Sequence, residues 1–384
     1  MAVITPGVRA EFDIPRDICY LNAAYMTVQP RRALEATIKG AEKRAAPWQI
    51  TQEDFFTNVE RLRTAFAKQV ACPSNNIAIV PSAGYGIAVA ANNLTIESGQ
   101  LILVLGEQFP ANYYSWQRLA QRSSAEVHVV TKQLTQSWAA AITECVEQFG
   151  DRIGIAALAR HHWVTSESID LDEVSPQLRQ NGTRIVLDLT QSVGAFPIDI
   201  GELAPDFMVA SGYKWQFCPY GVSFLYVANK RLDGIPIEEA WLSRAGAEDF
   251  SQLANYTEHY QDGARRFDAG GRSSFSNVAG AVEALQVIDD WGIPSISQHL
   301  AETNRIIEKI LATQGFETIP ENMRAPHFQS ARLPGVETAA LASKLLEDGV
   351  YVSQRGDRLR IAPHVYTDEK DLRRFEDSLR NAML

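Results

Sequence analysis

Cysteine is scarce in this chain. Four occur in 384 residues (Cys19, Cys72, Cys145 and Cys218), widely scattered and with no C-x-x-C spacing. That argues against a disulfide framework or a zinc ribbon and fits a reducing cytoplasm. No run approaches the roughly 18 consecutive apolar residues that a membrane-spanning helix needs. The opening MAVITPGVRAEFDIP has neither a basic start nor the apolar core of a secretion signal. Positive charge is also in short supply. There are 36 Lys and Arg against 46 Asp and Glu, a net charge of −10, which argues against a general nucleic-acid surface. Neither a P-loop nor G-x-G-x-x-G is present, so a nucleotide-binding α/β domain lacks its phosphate loop. There is no internal repeat or low-complexity tract. The remainder is ordinary for a globular protein, 46% hydrophobic and 21% charged, and long enough for a large core and two domains.

The most informative stretch is 184–227, RIVLDLTQSVGAFPIDIGELAPDFMVASGYKWQFCPYGVSFLYV. Ile185–Leu187, Phe207–Ala210 and Val222–Val227 are short apolar runs bounded by turn residues, the pattern of buried strands. The first ends in Asp188 and the second in Ser211-Gly212-Tyr213-Lys214. Polar residues at strand C-termini are where open α/β sheets place their sites. A lysine at a buried strand end is costly unless paired or used covalently. Desolvation lowers its pKa and favours a nucleophile or Schiff base. A pyridoxal phosphate (PLP) cofactor needs such a lysine together with a carboxylate that keeps its pyridine nitrogen protonated. Taken alone, Asp188 and Lys214 can fill those roles, but a plain ion pair or a strand-capping lysine is the simpler reading.

Two motifs occur in order here: D-x-T-Q-S-V-G-x-x-P-I-D from Asp188, and S-G-Y-K-W…P-x-G-x-x-F-L-Y-V from Ser211. Together they resemble the class V aminotransferase family of PLP-dependent enzymes, which includes cysteine desulfurases, kynureninases and isopenicillin N epimerase-like proteins. The resemblance covers most of the chain from about Cys19 onward. It implies an α/β chain of PLP-transferase fold type I: a mostly parallel seven-stranded sheet in a large domain (17–277) and a smaller C-terminal α/β domain (278–384) joined by an N-terminal arm (1–16). It also implies a homodimer with shared active sites. By resemblance, Lys214 is the Schiff-base lysine and Asp188 the pyridinium partner; these two are the catalytic pair. Gln191 bonds the ring hydroxyl, and Ser211 and Tyr213 hold the phosphate.

The rest of the chain supplies further candidates. Strand Ile77–Val80 runs into the small-residue turn Pro81–Gly86 and then a helix, Ile87–Leu94. Amides exposed at a helix N-terminus cradle anions, and in the family this turn grips the phosphate through positions matching Gly84 and Tyr85. Strand Leu101–Leu105 precedes Phe109, which by resemblance stacks on the cofactor ring. Strand Ile153–Ala159 ends at His161-His162-Trp163; the resemblance favours His162 for cofactor contact and leaves His161 as a surface residue. No third ligand stands at metal-binding spacing from this pair, so no metal is expected. The segment Arg266-Phe267-Asp268-Ala269-Gly270-Gly271 resembles the family's R-F-E-x-G-T, which reaches the neighbouring subunit's phosphate; Gly271, Ser273 or Ser274 takes that place here. In the small domain, R-I-A-P-H-V-Y-T puts the family's substrate arginine at Arg360, with Arg355 a possible second contact. A guanidinium holds a carboxylate through two parallel hydrogen bonds. Tyr25, Trp116 and Trp241 are candidates for the pocket walls.

These readings point to a PLP-dependent enzyme acting on a small α-amino acid, by aminotransferase or by C–S/C–C β-lyase (kynureninase-like) chemistry. The alternatives are a cysteine desulfurase or an amino-acid epimerase and, in a different class, a PLP-binding protein without turnover. The segment Val350–Asp357 has no cysteine where desulfurases carry a persulfide-forming one.

Overall fold

Successive residues of a strand point to opposite faces of its sheet, and in the large sheet here that builds two separate cores. The structure, a computed structural model, describes Ile4 and residues 7–383. Residues 1–3, 5 and 6 of the expected N-terminal arm, and Leu384 of the expected small domain, lie outside the described residues. Thirteen strands are described: β1 (Cys19–Tyr20), β2 (Ile77–Val80), β3 (Leu101–Leu105), β4 (Glu126–Val130), β5 (Ile153–Ala159), β6 (Arg184–Asp188), β7 (Phe207–Ser211), β8 (Ser223–Val227), β9 (Glu317–Thr318), β10 (Gln329–Arg332), β11 (Val350–Tyr351), β12 (Ser353–Arg355) and β13 (Arg358–Ile361). The helices are α1 (Arg31–Ala45), α2 (Thr57–Gln69), α3 (Ala83–Asn93), α4 (Ala111–Ser123), α5 (Trp138–Phe149), α6 (Leu171–Gln180), α7 (Ile200–Leu203), α8 (Phe275–Trp291), α9 (Ile293–Thr313), α10 (Thr338–Glu347) and α11 (Glu369–Ala382).

Seven strands form one sheet in the order β2-β8-β7-β6-β5-β3-β4, and only β8 runs against the rest. This is the mostly parallel seven-stranded sheet expected from the sequence. On one face, Leu103, Leu158, Leu187 and Met208 pack with α2, α5, α6 and α8. On the other, Ile102, Ile155, Val186 and Val209 pack with α3 and α4. Coverage on both faces explains why these strands read as continuous apolar runs. A second, antiparallel sheet, β12-β13-β10-β9, shares a third core with α9, α10 and α11.

The sequence reads Val350–Ser353 as one strand, but the chain switches partners there. Val350 and Tyr351 pair in parallel with Cys19 and Tyr20, whereas Ser353–Arg355 joins β13. The helix expected at Ile87 begins at Ala83, because the Ser82 hydroxyl caps it by accepting the Tyr85 N–H at 3.1 Å. Gly86 sits where an added Cβ would come within 2.6 Å of Val209, so a side chain there would push α3 off β7. Strand β4 and helices α4 and α5 carry no motif and were not anticipated.

Segment 265–272 covers the edge strand β2. The Asp268 carboxylate accepts the Ile79 N–H at 2.7 Å and pairs with Arg63 of α2 at 2.8 Å and with Arg272; all three side chains are buried. Burial works to raise the Asp268 carboxyl, yet the two guanidinium groups hold it below the ordinary range.

Candidate active site

Five parallel strands end on one side of the large sheet, and each delivers a residue to one cleft. Ala83 follows β2, Phe109 follows β3, His161 and Trp163 follow β5, Asp188 and Gln191 end or follow β6, and Ser211 and Lys214 end or follow β7. Parallel strands force this convergence, because all their C-terminal ends share one edge. Gly194 (φ +96°) lets the loop after β6 touch the loop after β7; a Cβ there would lie 2.6 Å from the Trp215 carbonyl oxygen.

Lys214 is 8% exposed and has no hydrogen-bond or ion-pair partner among the described residues. Its Nζ lies 5.4 Å from the centre of the Phe109 ring and 5.8 Å from that of Tyr213. Burial, then Arg360, pull the amine down to about 8, against an opposing pull from Asp188. Asp188 Oδ1 accepts the Thr190 N–H at 3.0 Å, and Oδ2 has no hydrogen-bond partner among the described residues. Gln191 is fixed at both ends: its amide donates to the Ala24 carbonyl at 3.0 Å and its oxygen accepts Trp215 Nε1–H at 2.8 Å. The Thr190 hydroxyl accepts the Ser211 N–H at 3.1 Å and locks β7 to the β6 loop.

Arg360 is buried on β13 and donates one Nη1–H to the Trp163 carbonyl at 3.0 Å. Its Nε and Nη2 have no hydrogen-bond partner among the described residues, and burial pulls its pKa down to about 9. A buried guanidinium without a carboxylate is expensive in a finished fold.

Several expected site residues stand elsewhere. His162 does not face the cleft: its Nε2–H donates to the Gly106 carbonyl at 2.9 Å, its Nδ1 accepts the Thr165 N–H at 3.2 Å, and its ring stacks on Trp138. His161, expected at the surface, is buried and lines the cleft, with Nδ1 at 2.8 Å from the Ser192 hydroxyl. Neighbouring residues past a strand end point to opposite sides, so the cleft takes one of the two. Trp116 is fully buried in the core beneath α4 and bonds Asn112, so it walls no pocket. Tyr85 spends its amide on Ser82, and burial and Glu238 push its phenol up. Gly84 lies in the first turn of α3 beside Ala83. Tyr25 is 55% exposed and is not among the residues lining the cleft. Gly271, Ser273, Ser274 and Trp241 line a separate surface depression, with the Ser273 hydroxyl on the Phe55 carbonyl.

Trp163 was missed from sequence. It meets Phe109 edge to face at 5.3 Å, its carbonyl takes Arg360, and its ring carries Arg355. The only sequence signal was its place just after the two histidines.

Behind the cleft, His161 meets His327 edge-on at 4.8 Å, and His327 Nε2–H donates to the Gln191 carbonyl at 2.6 Å. Burial pulls His327 and His364 down to about 3. The folded state therefore keeps them neutral while the unfolded chain takes up protons below about 6.5. Stability present above that value is lost as the pH falls, each histidine costing about 2 kcal/mol by pH 5. Acid unfolding of His327→Gln is expected to show a shallower pH dependence than wild type; equal slopes would contradict the neutral state.

A two-faced, mostly parallel sheet with a buried lysine at its C-terminal edge defines an α/β enzyme of the PLP-dependent fold type I. The model of the family described as aminotransferase class-V matches residues 20–375, and the chain belongs to that family of PLP-dependent enzymes. It is 26% identical to a kynureninase of Deinococcus radiodurans, over 89% of this chain and 84% of that one. It is 24% identical to the isopenicillin N epimerase of Streptomyces clavuligerus, over 91% of each. In fold it resembles a mutant of C-DES with glycine covalently linked to the PLP cofactor, with a TM-score of 0.87, 22% identity, and 97% of this chain and 98% of that one covered.

Proposed function

We propose that this enzyme binds PLP at Lys214 and acts on an α-amino acid held by its carboxylate, by amino transfer or by β-lyase chemistry at a C–S or C–C bond. The observation that carries the reading is Lys214 itself, a buried amine pulled down to about 8 with no partner, in one cleft with Asp188.

When bound, PLP supplies an electron sink for the bonds at the substrate's α-carbon. Lys214 is partly unprotonated near neutral pH, so it serves as nucleophile and as the base that takes the α-proton. Asp188, with Oδ1 tied to the Thr190 amide, offers Oδ2 to a protonated ring nitrogen. Phe109 gives a flat apolar face for a heteroaromatic ring. Gln191 has one amide N–H left for a ring oxygen. Ser211, Tyr213 and the first turn of α3 at Gly84 offer neutral donors to a phosphate. Arg360 offers Nε–H and Nη2–H as a pair to the substrate carboxylate, which orients the α-carbon toward Lys214.

A persulfide-forming desulfurase needs a reactive thiolate. Burial pushes up the thiols of Cys19, Cys72, Cys145 and Cys218, which makes each a poor nucleophile.

The same reading divides the chain into a large unit (17–277) and a small one (278–384 with the N-terminal arm), and makes it a homodimer. The dimer is supported by the open depression at Gly271 and Ser273, where an added Cβ on Gly271 would meet nothing. Sedimentation at the mass of one chain would remove that part.

The test is an absorbance spectrum of PLP-supplemented protein before and after adding pools of amino acids. A visible cofactor band is expected, and one pool should shift it. Conversion to a pyridoxamine-like spectrum assigns amino transfer; release of pyruvate or ammonia without that conversion assigns a lyase. Absence of any visible band rejects the reading.

A further inference from the structure

Lys214 and Trp163 line the cleft, and two arginines rest on that tryptophan, Arg360 on its carbonyl and Arg355 on its ring. Among the described residues no carboxylate comes within ion-pair distance of either arginine.

Arg355 has had every opportunity to find one. It pairs with Arg358 across the β12–β13 hairpin, and Asp357 sits in the turn between them. Yet Asp357 faces Arg358 at 3.9 Å and Arg332 at 3.7 Å instead. Arg355 lies over Trp163, its guanidinium carbon 5.5 Å from the ring centre. One Nη1–H goes to the Gln354 carbonyl at 2.6 Å, and the buried Nε has no partner. Stacking on an indole leaves the edge of a guanidinium free, and that edge is what binds carboxylates.

The two arginines are not equivalent. Arg360 is fully buried and acts on Lys214 more strongly than Arg355 does. Arg355 is half-buried, beside the exposed Tyr25. Arg360 thus suits the group attached to the reacting carbon, and Arg355 suits a group farther along the substrate. We infer that Arg355, laid on Trp163 beside Arg360, forms a second anion subsite, and that the cleft takes an amino acid whose side chain itself ends in an acidic group. This rests on the proposed function, in which neutral donors serve the cofactor phosphate and leave both arginines to the substrate.

The test uses the PLP-loaded enzyme and follows its visible band during titration with aspartate, asparagine, glutamate and glutamine. Each acid is expected to bind about 10- to 100-fold more tightly than its amide, the value of a charge-assisted hydrogen bond. Arg355→Gln should bring that ratio close to one, and Arg355→Lys should keep part of it. A competition on wild type alone reads the same subsite: glutarate should displace substrate better than butyrate. A visible band with equal affinities for acid and amide, or equal competition by the two probes, overturns the second subsite and leaves the proposed function standing. So does an acid preference that survives in Arg355→Gln. No visible band in wild type overturns both.

Discussion

Lys214→Ala is expected to fold, to lose the visible band that PLP gives with wild type, and to turn over roughly 10⁴-fold more slowly, the scale of losing both a nucleophile and a general base. Folding should survive because the amine holds nothing together: it has no hydrogen-bond or ion-pair partner among the described residues. Its removal relieves a desolvation cost, so the cofactor-free variant should be more stable than wild type by about 1–3 kcal/mol at neutral pH. The sign of the pH dependence follows. The folded amine is pulled down to about 8 from an ordinary 10.5. Between those values the unfolded chain holds a proton that the fold has released, so wild type gains stability as pH rises through that window. Lys214→Met should not. Melting both apoproteins across that range checks the slope, and retained turnover in Lys214→Ala would dismiss the lysine's role.

Asp268→Ala is expected to cost about 3–5 kcal/mol, the loss seen when one partner of a buried ionic cluster is removed. The residue left behind is the problem. Arg63 and Arg272 are both buried around Asp268, and neither has water to turn to. The Ile79 amide would lose its acceptor as well, which loosens the cover over the edge strand β2. Asp268→Asn should fare little better, since it keeps the shape but not the charge. Urea unfolding midpoints decide this; a shift worth less than about 1 kcal/mol would mean that the two arginines find solvent on their own. The segment that looks from sequence like an arm toward a neighbouring subunit is therefore, at Asp268, an anchor of its own chain.

The same contrast runs through the site. Asp188, Gln191, Ser211, Tyr213 and Lys214 could be grouped from sequence because two short buried strands place their ends side by side, and a parallel sheet leaves no other arrangement. Phe109, after a third such strand, was added by the family resemblance. The errors arise where side-chain direction, not strand order, decides. His161 and His162 differ only in which way the chain turns after Ala159. Trp116 sits on an amphipathic helix, and its spacing cannot distinguish a face toward the core from one toward a pocket. Trp163 and the free edge of Arg355 are invisible without the hairpin that aims Asp357 elsewhere. The fold was more legible than the site for the same reason: in a strand covered on both faces every residue is apolar, whereas a cleft depends on a few single orientations.

The pairing of β1 with β11 has a consequence for how the chain is made. Cys19 and Leu21 leave the ribosome long before Val350, Leu359 and Ile361, which cover them in the third core. Ala24, whose carbonyl holds Gln191 at the cleft, hangs from that same strand. The segment at β1 must therefore wait for β11 and β13 to be translated before it can dock. Synthesis and assembly run in opposite directions at this edge. The wall of the cleft at Trp163, which Arg360 of β13 holds by its carbonyl, is likewise completed only after that strand is made.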